Sequence, residues 1–274
     1  MSARIHIDSP LALGAERPLP VNASRHVQVL RLQPGAPLML FDGLGGEWSA
    51  EVQDMGRKVV TVRVLAHHPV ERELATPVTL ALGMPANERM DWLVEKATEL
   101  GVVCIQPLVC ERSVLRLAGE RADRKAAHWQ GIAVAACEQS GRNRVPVIAA
   151  PLALREWLAA LAATGPGAGT GTGAFGHRLL LSLAPGARSL AAVISRAGAL
   201  PLTPNDSGQI LLSDKPAGVP LTVLSGPEGG LSPAEMAAAT ACGFLPVTLG
   251  ARVLRADTAP LAVLAFVAAL ETSP

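Results

Sequence analysis

Two short segments in the C-terminal part of this 274-residue sequence hold most of the residues able to do chemistry: GPEGGLS at positions 226–232 and LGARVLRADTA at 249–259. The first follows an apolar run that ends at Leu224. It leads into a helix-start signal, with Ser232 as N-cap, Pro233 in the first turn and Glu235 as the capping-box acid. In open α/β sheets ligands sit beyond the carboxyl ends of the strands, where such a turn lies. Gly226, Gly229 and Gly230 let the main chain approach a ligand closely, and Glu228 is then a carboxylate at the lip of the pocket. Taken alone, this turn is equally an ordinary strand-to-helix connection.

The second segment brings Arg252, Arg255, Asp257 and Thr258 within seven residues, again between an apolar run and a helix. Asp257 or Thr258 as cap and Pro260 near the start explain part of it as a helix beginning. The arginines need another reason, because Arg is rarely set beside a core without a partner. A guanidinium fork suits phosphate or carboxylate recognition.

The elements that must position these turns change character along the chain. The first seventy or so residues read as short strands and turns: Leu38 to Phe41, Trp48 to Val52 and Lys58 to Leu65. A short helix is expected over Ser24 to Leu32. This grammar predicts a small β-barrel or sheet module, with His67-His68-Pro69 and the charged ERE after it as a linker. From Pro77 strands alternate with helices. Strands are expected at Val78–Gly83, Val102–Val109, Leu179–Leu183, Leu221–Leu224 and Leu245–Leu249. Helices are expected from Asn87 to Leu100, Lys125 to Cys137, Ser189 to Ala197, Ser232 to Cys242 and Ala259 to Leu270. Such alternation implies a mostly parallel sheet covered on both faces. Two inserts interrupt it, at 164–173 and 201–218; the first reads as a Gly-rich surface loop without function, since no Gly-Lys-Ser/Thr follows.

Composition narrows the function classes. A hydrophobic content of 49% supports a sizeable core, and a net charge of +1 excludes a histone-like basic binder. Any nucleic-acid binding must use local basic patches rather than an overall positive field, and 3% aromatics with no tyrosine make stacking platforms weak. Cys104, Cys110, Cys137 and Cys242 lack CxxC pairing, which argues for reduced thiols and against a zinc site or disulfide framework. With no signal-peptide pattern and no long apolar stretch, the expected location is cytoplasmic.

The pair GPEGGLS and LGxRVLRxDT closely resembles the knotted SPOUT class of S-adenosylmethionine-dependent RNA methyltransferases, and within it the RsmE family. That family methylates N3 of a uridine in 16S ribosomal RNA of the small ribosomal subunit. Other segments agree in order: His26 to Arg31, Glu95 to Gly101, Glu111 to Ser113 and Cys137 to Arg144. The resemblance implies an α/β chain with a PUA-like β-barrel at 1–72 and a trefoil-knot methyltransferase domain of parallel strands at 73–274. It also implies a homodimer and a cofactor, S-adenosylmethionine, bent among three loops. On this sequence the loops fall at Leu183 and Pro185; at Leu224, Gly226, Pro227, Gly229, Gly230 and Leu231; and at Leu249, Gly250, Val253, Leu254, Ala256, Thr258 and Ala259. Where the family commonly has Glu, this chain has Asp257, one methylene shorter, which points to a structural role there.

Transfer of a methyl group from a sulfonium needs alignment rather than a metal. Uridine N3 must lose its proton to attack; Glu228 can accept it or position the base, and Arg252 or Arg255 can stabilise the uridinate charge. Arg142 and Arg144 form a second basic cluster that is either an RNA contact or a solvated helix end, and Arg25, His26 and Arg31 offer contacts to RNA phosphates. Lys96 and Glu99 are either a surface ion pair or site residues. Two competing readings are methylation of a ribose 2′-hydroxyl or another base, and a non-catalytic RNA-binding scaffold. A dinucleotide-dependent dehydrogenase is excluded, because no strand is followed by GxGxxG.

Overall fold

The computed structural model describes residues 3–86, 88–163, 176–196 and 218–271. The 164–173 insert, all of the second insert but Gly218, and the expected cap Asn87 lie outside them. The chain forms two compact units: residues 1–73 together with 133–145, and residues 74–132 together with 146–274.

The first unit contains β1 (Ala3–His6), β2 (Glu16–Pro18), α1 (Val21–Val29), β3 (Pro37–Phe41), β4 (Glu47–Met55) and β5 (Val60–His68). The sheet order is β1-β3-β4-β5-β2, with β1 parallel to β3 and the other neighbours antiparallel. Among the described residues this sheet is a mixed ladder with β1 and β2 at its edges, in line with the expected β-barrel or sheet module. His67 and His68, expected in a linker, are the end of β5 opposite Trp48 and Glu47. Ile5, Val27, Leu38, Leu40, Val52 and Val62 fill the core between sheet and helix. The helix is tied down by Ser24, whose buried hydroxyl donates to the Leu19 carbonyl and accepts from the Val60 N–H, both at 3.0 Å.

Residues 133–145 belong to this unit through polar contacts that the linear sequence hides. Arg4 donates to Asn143 Oδ1 and to Glu47 Oε2, each at 2.6 Å, and Arg72 donates to the same Glu47 oxygen at 2.8 Å. The two guanidinium groups hold the Glu47 carboxyl at about 2, the Arg72 hydrogen bond outweighing the opposing cost of burial. Arg142 is 3% exposed and donates from Nε to Glu73 at 3.0 Å. Arg144 pairs with Glu71, whose other oxygen accepts the Gly46 N–H at 2.9 Å.

The second unit contains β6 (Val78–Gly83), α2 (Glu88–Glu99), β7 (Cys104–Val109), α3 (Glu120–Ser140), β8 (Val147–Ile148), β9 (Leu152–Ala153) and α4 (Leu154–Ala163). It continues with β10 (His177–Leu181), β11 (Arg188–Ser189), α5 (Leu190–Arg196), β12 (Leu221–Ser225), α6 (Pro233–Ala241), β13 (Leu245–Thr248) and α7 (Thr258–Leu270). Residues 133–140 of α3 count with the first unit. The strand order is β11-β13-β10-β12-β6-β7-β8, with β9 also on β7, and every pairing is parallel. Consecutive residues of a strand face opposite sides. Leu80, Ala81 and Leu82 of β6 are all buried, so both faces of the sheet are covered. Helices α2 and α7 pack together, as do α4 and α6.

A polar staple joins α2 to α3: the fully buried Trp129 donates to Asp91 Oδ1 at 2.8 Å, and His128 meets Oδ2 at 2.9 Å. Burial raises the Asp91 carboxyl, but these hydrogen bonds outweigh it and the net displacement is downward. Lys96 bonds Glu95 and Glu99 at 2.7 and 2.8 Å in a partly buried ion-paired row, and none of the three lines the cavity described below.

Candidate functional site

β10 lies between β12 and β13, so the carboxyl ends of these three strands adjoin. The turns leaving them enclose a cavity of about 620 Å³. Ser182, Leu183 and Ala184 enter from β10, Ser225 to Glu228 with Gly230 and Leu231 from β12, and Leu249 with Arg252 to Ala256 from β13. Met236 of α6 and Ala259 of α7 complete an apolar wall. Gly226 and Gly230 are the two glycines that line it, and elsewhere side chains meet the space.

The GPEGGLS turn is locally determined. Gly230 takes φ +68° and its N–H donates to the Pro227 carbonyl at 2.8 Å. The capping box forms as read: Ser232 Oγ accepts from the Glu235 N–H at 3.2 Å, and Glu235 Oε2 accepts from the Ser232 N–H at 2.8 Å. Proline stands at the first helical position. From the side, β6 comes so close that a Cβ on Gly83 would lie 2.5 Å from Pro227 N.

Glu228 stands at the rim, with its side chain 32% exposed. Its Oε1 accepts the Ala86 N–H at 3.2 Å and lies 3.9 Å from Arg89 Nη1. Arg252 and Arg255 line the same cavity, are exposed, and have no ion-pair partner among the described residues. The arrangement gathers one carboxylate and three guanidinium groups at the mouth of an apolar pocket. Cys110, packed behind Leu231, offers no thiolate: burial, with the nearby Glu235 charge, pushes its thiol up to about 12.

Several sequence-predicted residues fall elsewhere. Leu224 is fully buried in the sheet core, and Pro185 is exposed outside the cavity. Gly229, Gly250 and Thr258 do not line it either. Asp257 is 8% exposed at the α7 N-terminus and takes the Thr258 hydroxyl at 3.2 Å, but its side chain makes no capping bond. Arg89, in the first turn of α2, also lines the cavity; the sequence from Met84 through Arg89 reads equally as pocket lining or as loop, and nothing in it singles out this arginine.

Among the expected RNA contacts, Arg25 and His26 are exposed on α1, and Arg31, at φ +54°, is exposed just beyond it. Arg142 is a correction: a guanidinium buried against Glu73 is a structural ion pair, not a surface presented to RNA. Arg144 is exposed yet paired with Glu71. The described residues hold no group of three or more potential metal ligands and no helix long and apolar enough to cross a membrane.

Comparison with known proteins places these features. The model of an RNA methyltransferase domain matches residues 72–268, and that of an RNA methyltransferase PUA domain matches 19–65. The chain is 34% identical to ribosomal RNA small subunit methyltransferase E of Synechocystis sp., over 89% of this chain and 69% of that protein. It is 29% identical to the Bacillus subtilis protein of the same name, over 88% and 84%. Among solved structures, ribosomal RNA small subunit methyltransferase E from Neisseria gonorrhoeae, bound to S-adenosylmethionine, superposes with a TM-score of 0.79 at 31% identity over 98% of both chains. A Legionella pneumophila methyltransferase with bound S-adenosylmethionine gives 0.80 at 30% identity, also over 98% of both. The cavity between the three parallel-strand turns thus lies in a SPOUT-type fold, and the chain belongs to the RNA methyltransferase family, with a PUA module of the kind that accompanies it.

Proposed function

We propose that the protein methylates N3 of a uridine in 16S ribosomal RNA, with S-adenosylmethionine as methyl donor. The observation that carries this reading is the convergence of Glu228, Arg252 and Arg255 on one apolar cavity formed by the ends of β10, β12 and β13. The cavity fits the cofactor chemically. Leu180, Leu231, Met236 and Leu254 give apolar walls for a purine, and Glu228 offers a negative charge near a sulfonium. Main chain is tightly folded at the turn, where a Cβ on Gly226 would press within 3.0 Å of Leu231 N. When bound, S-adenosylmethionine supplies an electrophilic methyl group on a good leaving group.

The chain's own residues do the rest. The three turns orient the reacting centre, which removes much of the entropic barrier. Glu228 takes the imide proton or fixes the base edge, and Arg252 or Arg255 offsets the charge that grows on the uridine ring. Arg25, His26 and Arg31 of the first unit, with Arg144, hold RNA phosphates. The enzyme works as a homodimer in the cytoplasm. Support for a partner copy comes from two exposed apolar side chains at the cavity rim, Leu183 at 60% and Val253 at 79%.

Incubation of small subunits lacking the modification with the protein and S-adenosylmethionine, followed by nucleoside mass mapping, tests the reading. The expected product is 3-methyluridine. A 2′-O-methyl nucleoside, or no product with both free RNA and subunits, would replace it with one of the competing readings.

A further inference from the structure

The Glu111-Arg112-Ser113 segment has no part in the mechanism above, yet it reaches the cofactor turn. It follows β7, and β6 stands between β7 and β12. Arg112 Nη1 donates to the Gly229 carbonyl at 3.0 Å. The stem packs as well, since a Cβ on Gly229 would meet Arg112 Cβ at 3.0 Å. Gly229 therefore serves the approach of Arg112, which explains why it does not line the cavity.

The base from which Arg112 reaches is itself fixed. Ser113, 6% exposed, accepts the Cys110 N–H through its hydroxyl at 2.9 Å. The Glu111 N–H donates at 2.8 Å to Oε1 of Glu235, the same carboxylate whose Oε2 caps α6. Two bonds thus clamp the 226–235 segment from the β7 side, and on the other side Ala86 N–H and Arg89 hold Glu228. Arg112 is exposed and has no carboxylate partner among the described residues, so its charge-assisted bond goes to a main-chain oxygen one residue from Glu228.

We propose that Arg112 is a positioning residue, which sets the Glu228–Gly230 turn before the cofactor arrives. This rests on the S-adenosylmethionine reading above. One arm of the test is independent of it: hydrogen exchange of the cofactor-free, full-length protein. In Arg112→Ala the amides of Gly229, Gly230 and Leu231 are expected to exchange about five- to tenfold faster, the loss of one charge-assisted bond. Arg112→Lys, which keeps a donor, restores part of the protection. In calorimetry S-adenosylmethionine affinity falls by a similar factor in Arg112→Ala, while the thermal midpoint stays within a few degrees of wild type. Unchanged exchange and unchanged cofactor affinity overturn the proposal. If only RNA affinity falls, Arg112 is a phosphate contact and the positioning role is likewise overturned. Faster exchange in a protein whose wild type binds no S-adenosylmethionine overturns the cofactor reading but leaves Arg112 as the brace of the turn.

Discussion

Gly83 and Pro227 touch where the end of β6 meets the cofactor turn, and the contact leaves no room for a side chain: a Cβ on Gly83 would lie 2.5 Å from Pro227 N and 2.9 Å from Gly226 C. The obstacle is backbone on both sides, so the turn rather than a rotamer must move. Gly83→Ala is expected to weaken S-adenosylmethionine binding by about tenfold, at an overpacking cost of about 1–3 kcal/mol. Calorimetry of the folded variant measures it; undiminished affinity would show that the turn tolerates displacement.

Glu228→Gln keeps the hydrogen bond from the Ala86 N–H but removes the charge. Turnover is expected to drop about 100-fold if the carboxylate takes the proton. Arg252→Ala and Arg255→Ala are expected to lose about 10- to 1000-fold between them, the larger loss marking the cation nearer the uridinate. Single-turnover rates on small subunits separate these effects from product release.

Glu47 governs acid stability of the first unit. Its folded carboxyl sits at about 2, below the ordinary 4.5, because Arg72 and Arg4 hold the ionised form. A depressed carboxylate contributes stability above its unfolded value, and that contribution is lost as pH falls from about 4.5 toward 2. Since the Arg72 side chain is 42% exposed, the stake is discounted to on the order of 2 kcal/mol. Urea melts at pH 7, 4 and 3 should show a steeper decline for wild type than for Glu47→Gln.

Asp91 satisfies the indole N–H of the fully buried Trp129. Asp91→Ala leaves that donor unpaired and is expected to destabilise by about 1–3 kcal/mol, a few degrees in thermal midpoint. Asp91→Asn, which keeps an acceptor, should recover most of it.

Arg142→Ala breaks a buried pair and strands Glu73, at a cost of about 3–5 kcal/mol. RNA affinity of the protein that remains folded is expected to be unchanged, measured by filter binding below the melting range. A selective loss of RNA binding at full stability would reinstate Arg142 as a contact.

The cavity was legible because its signals are local. Ser232, Pro233 and Glu235 encode their helix start within four positions, and the apolar runs of β6, β12 and β13 announce themselves by composition. What stayed hidden depends on distance along the chain. β1 is four residues long and finds its parallel partner β3 more than thirty positions later. Helix α4 was not foreseen, and α3 begins at Glu120, before the apolar stretch that suggested it. Glu71 and Glu73 looked like a solvated linker because Arg144 and Arg142 lie more than sixty positions away. A basic cluster and its neutralising acids cannot be matched from spacing alone, and so the guanidinium of Arg142 read as available.

The discontinuity of the first unit has an evolutionary corollary. A gene fragment that stopped at residue 73 would leave Glu71 and Glu73 without their cations and Arg4 without Asn143. A single crossover at that boundary separates Arg4, Glu71 and Glu73 from their partners in residues 133–145, so a chimera that takes both stretches from one parent preserves every one of these pairs.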